Sequence, residues 1–253
     1  IYHTVEEKKL VLENITAQAK GRLTVIAHVA CNNTKDSMEL AAHAQSLHAD
    51  AIAAIPPIYF HLPEHAIAQY WNDISDAAPD TDFIIYNIPQ LAGVSLTMSL
   101  FAKMRENPRV IGVKNSSMPV QDIQMFKQAA GDSYLIFNGP DEQFISGRVI
   151  GAEGAIGGTY GAMPELFLKM DECIKAGELE QARKIQYCVN EIIYKMCTAH
   201  GNLYGVIKEV LKINEDLDLG GVRKPLPALN EDDLLIAGQA AAMIRAAKEV
   251  YLR

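Results

Sequence analysis

Short apolar runs alternate with longer amphipathic segments through the first 160 residues. The runs are LTVIAHVA (23–30), AIAAIPP (51–57), DFIIYNIP (82–89), RVIGVKNS (109–116), YLIFNGP (134–140) and GAIGGTY (154–160). Between them lie stretches of helical period such as SMELAAHAQSLHA (37–49), PEHAIAQYWNDISDAA (63–78) and PVQDIQMFKQAA (119–130). Continuous apolar runs of this length, separated by helices, predict parallel strands buried on both faces. Ahead of them, Thr4 and Glu7 in TVEE form a capping box, and Val5, Val11, Leu12 and Ile15 recur at helical spacing. After residue 160 the alternation gives way to three helical segments, MPELFLKMDECIKAG, ELEQARKIQYCVNEIIYKMCTAHG and DDLLIAGQAAAMIRAAKEVYL.

Run starts fall about 20–30 residues apart, the length of one strand-plus-helix unit. A closed (β/α)8 barrel has eight such units and six are visible. The pattern therefore predicts an α/β fold, a TIM barrel whose first roughly two strands are absent, with a helical C-terminal extension. An open six-stranded sheet is the competing reading. Its first strand would be as apolar as a central one, an aggregation liability that natural edges avoid. No Pro-, Gly- or Ser-rich linker interrupts the chain, so the barrel (1–160) and the helical region (161–253) are expected to form one structural unit.

Composition narrows the function classes. The chain has 253 residues, 49% hydrophobic and 21% charged, enough for a sizeable core. With 23 Lys plus Arg against 31 Asp plus Glu, the net charge of −8 disfavours nucleic acid and anionic membranes. No apolar run approaches the roughly 20 residues of a membrane span. No secretory signal is visible at the start. The first residue is Ile1 rather than Met, and residues ahead of it are expected. Cys31, Cys173, Cys188 and Cys197 show no CxxC spacing and read as reduced packing residues.

Active sites of parallel α/β folds lie at the C-terminal ends of the strands. Those ends here read Tyr86-Asn87, Lys114, Asn138-Gly139 with Asp141-Glu142 beyond, and Gly158-Thr159-Tyr160. Tyr86 and Lys114 end consecutive strands, about 5 Å apart in one sheet. Desolvation favours a neutral lysine amine, which attacks a ketone; the protonated imine then withdraws electrons from the adjacent carbon. A neighbouring phenol can shuttle the proton that carbon–carbon cleavage requires. The blander readings are a snorkelling, ion-paired Lys114 and a core Tyr86 with its hydroxyl at the rim. Other motifs carry less. HLPEH (61–65) matches a zinc-peptidase pattern, but Pro63 opens the helix and leaves His61 outside it. Gly151, Gly154, Gly157 and Gly158 lack nucleotide-binding spacing and read as a tight turn.

YNIPQLAGVSL (86–96), GVKNSS (112–117), FNGPDE (137–142) and GAIGGTYG (154–161) together resemble the N-acetylneuraminate lyase branch of the pyruvate-dependent class I aldolases. That superfamily also contains dihydrodipicolinate synthase. The resemblance spans essentially the whole chain. It implies Lys114 as the Schiff-base lysine, Tyr86 as the proton relay, and Tyr59 as a tyrosine lent to a neighbouring subunit's site. Ser116, Gly139, Asp141, Glu142 and Gly158 fall where the lyases contact the sugar. It further implies a cytoplasmic homotetramer that needs no metal or other cofactor, acting on a keto acid and a sugar. Gln90-Leu91-Ala92-Gly93 lacks the arginine of the synthases, and the NG-x-D-E segment suits a hydroxyl-rich acceptor, both lyase-like.

Two positions depart from the family. Gly158 stands where the lyases commonly carry serine. The G-[ST]-T-G-E loop that binds the pyruvate carboxylate is expected ahead of Ile1; a protein beginning at Ile1 is expected to be an incomplete barrel with impaired activity. The expected reaction is reversible aldol cleavage of N-acetylneuraminate to N-acetylmannosamine and pyruvate. The alternatives are another pyruvate-dependent aldolase or synthase, such as dihydrodipicolinate synthase, and a non-catalytic truncated barrel subunit.

Overall fold

The computed structural model describes residues 1–19 and 21–252. Thr4 N–H donates to Glu7 Oε2 at 2.9 Å and Glu7 N–H to Thr4 Oγ1 at 3.2 Å, closing the capping box ahead of α1 (Val5–Ala19). The chain then runs through β1 (Ile26–His28), α2 (Thr34–Ser46), β2 (Ala51–Ala54), α3 (Glu64–Asp76) and β3 (Asp82–Asn87). It continues with α4 (Pro89–Ala92), α5 (Met98–Met104), β4 (Val110–Asn115), α6 (Gln121–Ala130) and β5 (Leu135–Asn138). A 3₁₀ turn (Asp141–Gln143), α7 (Phe144–Val149), β6 (Gly154–Ala155) and a second 3₁₀ turn (Tyr160–Ala162) follow. The chain ends in α8 (Pro164–Lys175), α9 (Leu179–Met196), α10 (Leu203–Glu215) and α11 (Glu231–Tyr251).

The six strands form one sheet in chain order, and each registered pair from β1 to β5 is parallel. Parallel strands in sequential order with intervening helices are the TIM-barrel class of α/β fold, here with six strands among the described residues.

Two compact units divide the chain: residues 3–139 with 150–154, and residues 140–149 with 155 onward. In the first, strand pleating sorts the side chains. Ile52, Ala54, Phe83, Ile85, Val113 and Ile136 pack against the helices in a core that includes Phe101, Met104 and Phe126. Trp71, the chain's one tryptophan, sits there at 1% exposure. The opposite sheet face carries a small cluster of Ala51, Ala53 and Ile84, with Phe137 against it. A Cβ at Gly112 would lie 2.3 Å from Leu135 O, so the approach of β4 to β5 requires glycine. Tyr70 ties α3 to the end of β1, donating to Cys31 O at 2.7 Å and sharing a hydrogen bond with Ser37 Oγ at 2.9 Å.

The second unit buries Phe144, Met163, Leu166, Met170, Ile185, Val189, Ile192, Val206 and Ile244 in its own core. Asn230 and Asp233 close a capping box on α11. Asp233 also accepts His200 N–H at 2.8 Å and Gly201 N–H at 3.0 Å, so one carboxylate secures both the helix start and the loop beside it.

The Met98–Met104 helix, 7 residues long, is too short for its period to stand out in the sequence. Two local expectations are corrected. The segment read as one helix to Gly201 ends at Met196, and a separate α10 follows, started by the Asn202 cap. The GAIGGTY run supplies only a two-residue strand, because its glycines serve close approaches and turns instead of a ladder.

Candidate active site

Period two along β3 puts Tyr86 on the same sheet face as Ile84, and the register pairs Tyr86 with Lys114. The lysine Nζ lies over the phenol ring, 3.9 Å from its centroid. A ring face attracts the ammonium through its quadrupole, and it would attract an iminium nitrogen for the same reason. His28, ending β1, meets Tyr86 edge-on at 5.8 Å, and its Nε2 accepts Ile55 N–H at 3.4 Å. Desolvation first, with the positive charges of Lys8 and Lys114, lowers His28 to about 4. Its imidazole is therefore neutral at neutral pH.

Buried amides hold these strand ends in place. Asn87 Nδ2 donates to Asn115 Oδ1 at 2.7 Å, and Asn115 Nδ2 donates to Ser117 Oγ at 2.9 Å. Ser117 Oγ in turn donates to Asp122 Oδ2 at 2.6 Å. Backbone bonds from Ser116 N to Asn87 O and from Gly139 N to Asn115 O, both 2.7 Å, stitch the ends of β3, β4 and β5 together. The Gln90 amide, oriented to satisfy both partners, donates to Ser116 O at 3.1 Å and accepts Met118 N–H at 3.3 Å. A neutral amide thus fixes the Ser116 loop. Gly139 rests on Ser116: a Cβ there would lie 2.6 Å from Ser116 Cα.

The remaining candidates belong to the second unit. Asp141 is buried, and its Oδ2 accepts Thr159 N–H at 2.7 Å and Thr159 Oγ1–H at 2.6 Å. A Cβ on Gly157 would fall 1.5 Å from Asp141 Oδ1, so glycine there is a condition of this contact. Gln186 Nε2 donates to Asp141 O at 3.1 Å, and Asn190 Nδ2 to Glu142 O at 3.0 Å. These α9 amides fix the Asp141-Glu142 backbone and leave the exposed Glu142 side chain facing outward. The exposed Gly158 lies under the phenol of Tyr204.

Lys114, Tyr86, Ser116 and Gly139 are thus gathered at the strand ends of one unit, and Asp141 and Gly158 flank Thr159 in the other. Tyr59 stands elsewhere, in the loop after β2. It is 85% exposed, packs edge-on against Phe60 at 4.9 Å and adopts φ 87. A bulky residue rarely takes that left-handed conformation, so the loop holds the ring out under strain. Tyr59, Phe60, Pro57, Ile58, Asn32 and Tyr70 line a cavity of about 590 Å³. Pro63 caps α3 and leaves His61 outside it, as the sequence predicts. No cluster of three metal-ligating side chains occurs among the described residues.

His28, Gln186, Asn190 and Tyr204 were not legible as site residues. Gln186 did leave a signal: it is a polar residue on the apolar stripe of Ala182, Ile185 and Val189.

A TIM-barrel sheet whose consecutive strand ends carry a phenol and an amine defines the class. Residues 2–243 match the dihydrodipicolinate synthetase family, and the chain belongs to it. It is 74% identical over 252 residues to N-acetylneuraminate lyase of Mediterraneibacter gnavus, an alignment covering 100% of this chain and 80% of that protein. The wild-type structure of Ruminococcus gnavus sialic acid aldolase matches at TM-score 0.98 and 74% identity, over 99% of this chain and 83% of that one. The catalytic lysine mutant of the same aldolase matches with the same score and identity, over 99% and 82%.

Proposed function

We propose that this chain catalyses the reversible aldol cleavage of N-acetylneuraminate to N-acetylmannosamine and pyruvate through a Schiff base on Lys114. The observation that carries the reading is the placement of Lys114 Nζ over the Tyr86 ring at the matched ends of β4 and β3. The 74% identity to N-acetylneuraminate lyase supports the substrate, and a related aldolase with a catalytic lysine supports the chemistry.

Lys114 attacks the C2 ketone of the open-chain sugar acid and expels water, forming the iminium. Tyr86 relays the C4 hydroxyl proton as the C3–C4 bond breaks. The bonding pair moves onto the iminium, giving an enamine, and N-acetylmannosamine departs. Protonation at C3 and hydrolysis release pyruvate and restore the amine. Ser116 and Gly139, with Asp141, Glu142 and Gly158, act on the sugar side, where hydroxyl-rich chemistry suits carboxylate and backbone acceptors.

The finer features of the reading are a cytoplasmic homotetramer in which the exposed Tyr59 serves a neighbouring subunit, and a helical region that works as one structural unit with the barrel. No helix among the described residues is long and apolar enough to cross a membrane.

Borohydride reduction in the presence of pyruvate, followed by peptide mass mapping, tests the mechanism. The expected result is a reduced adduct on Lys114, absent from Lys114→Ala, with turnover of that variant down by at least about a thousandfold. Normal turnover by Lys114→Ala would sink the mechanism.

A further inference from the structure

We infer that His28 is a positioning residue for Tyr86, its imidazole ring setting the angle at which the phenol faces the Lys114 amine. The inference rests on the aldolase reading above and gives the proton relay of that reading a support. Every residue in it belongs to the first compact unit.

Strand register brings the three side chains onto one face. His28 pairs with Ala53, Ala53 with Ile84, and Tyr86 with Lys114, while the period of two puts Ile84 and Tyr86 on the same side of β3. β2 lies between the strands that carry the two rings and gives this face Ala53, a single methyl. The rings meet across it, with centroids 5.8 Å apart and planes at 82°. Aromatic pairs favour this edge-on geometry, because the positive rim of one ring meets the negative face of the other. Lys114 Nζ stands 3.9 Å from the centroid of the phenol ring. Tyr86 thus touches a ring from one strand and an amine from another.

The histidine is itself tethered. Its Nε2 accepts the N–H of Ile55, the residue just after β2, at 3.4 Å, and only an unprotonated nitrogen can accept. Desolvation first, then the charges of Lys8 and Lys114, lower the imidazole pKa to about 4, so the ring is neutral at pH 7. An imidazolium would lose the Ile55 hydrogen bond and set a second positive charge near the nitrogen that becomes the iminium. The phenol turns about two side-chain bonds, and a misplacement of about 1 Å at a reacting group can cost about a hundredfold in rate. An edge-on contact restricts that turning without engaging the hydroxyl.

The test measures kcat for N-acetylneuraminate cleavage and the borohydride-trapped pyruvate adduct on Lys114 in His28→Ala and His28→Phe. Each is made in the parent chain and in a Tyr86→Phe background. His28→Ala is expected to keep the adduct and lose about tenfold in kcat, the worth of one edge-on ring contact. His28→Phe, which restores a ring, is expected to stay within about threefold of the parent. In the Tyr86→Phe background His28→Ala should cost nothing further, because the hydroxyl it positions is gone. If His28→Ala fails to fold, His28→Leu fills the volume without a ring and takes its place in the comparison. An unchanged kcat in the parent background overturns the inference. So does an equal loss with and without the Tyr86 hydroxyl, or a loss in His28→Phe as deep as in His28→Ala. A parent chain that forms no trapped adduct and cleaves no N-acetylneuraminate overturns the aldolase reading itself, and this inference falls with it.

Discussion

In the proposed cleavage Tyr86 carries two functions that a single substitution can separate. Its ring face lies under the Lys114 amine, and its hydroxyl is the proton relay of the proposed cleavage. Tyr86→Phe keeps the face and removes the hydroxyl. The pyruvate adduct on Lys114 should therefore still form, while kcat for N-acetylneuraminate cleavage falls about 10²–10⁴-fold, the usual worth of a general acid–base group. Tyr86→Ala removes the ring as well, and adduct formation should then weaken too. Borohydride trapping and coupled pyruvate release, run on both variants, read the two functions separately. Loss of the adduct in Tyr86→Phe would contradict this division. Lys114 and Tyr86 were legible as a pair because strand-end position and register are both set by the apolar runs. His28 and Tyr204 were not, because their roles depend on which side chain faces them across the fold. Nothing in the local pattern of a lone histidine or a first-turn tyrosine encodes that.

At the scale of elements, the strands and long helices follow from periodicity, and the exceptions have physical causes. A seven-residue helix such as Met98–Met104 holds fewer than two full turns, so no stripe can repeat along it. The two-residue β6 lies within a glycine-rich run whose Gly157 makes room for Asp141, a contact that the run's own pattern does not announce. Helix ends show the same dependence. The capping box at Thr4 and Glu7 is written in four consecutive residues, whereas Asp233 combines the cap of α11 with N–H groups some thirty residues earlier in the chain. Hydrogen bonds from the backbone of Asn230, His200 and Gly201 hold the Asp233 carboxyl below the usual carboxylate range. A carboxylate depressed in the folded state stabilises it fully above its unfolded pKa, and that stability disappears as pH falls through the folded value. Asp233→Asn should accordingly lower the melting temperature at pH 7 and flatten its decline on acidification below about pH 4. Thermal melts of parent and variant from pH 7 down to pH 2 measure this. Parallel curves would show that the carboxylate charge contributes nothing.

For the whole molecule, the class of fold was legible because six buried runs spaced by helices fit few alternatives. The division of the described chain into two compact units was not. Residues 140–149 leave the first unit and rejoin it at Ile150, a detour made by the Phe144 and Gly147 side of α7 packing into the helical core. Linker composition carries no trace of it, since both crossings are short and ordinary in sequence. Assembly belongs to this scale as well. A ring held outward at φ 87 and 85% exposure, beside an exposed Phe60, is a costly arrangement for an isolated subunit. In the proposed tetramer that ring has a destination. Light scattering is expected to give a mass near four times that of the subunit, and a mass of one subunit would count against Tyr59 serving a neighbour.

The burial of Trp71 gives the chain a built-in reporter of one half only. Its indole is surrounded by the core of the first unit, and no second tryptophan exists to dilute the signal. Intrinsic fluorescence therefore follows the loosening of the strand-bearing half, whereas far-ultraviolet dichroism is weighted toward the long helices of the other. Superimposed denaturation curves from the two signals would mean that a single cooperative transition governs both cores. A gap between them would measure, in denaturant concentration, how far one half outlasts the other.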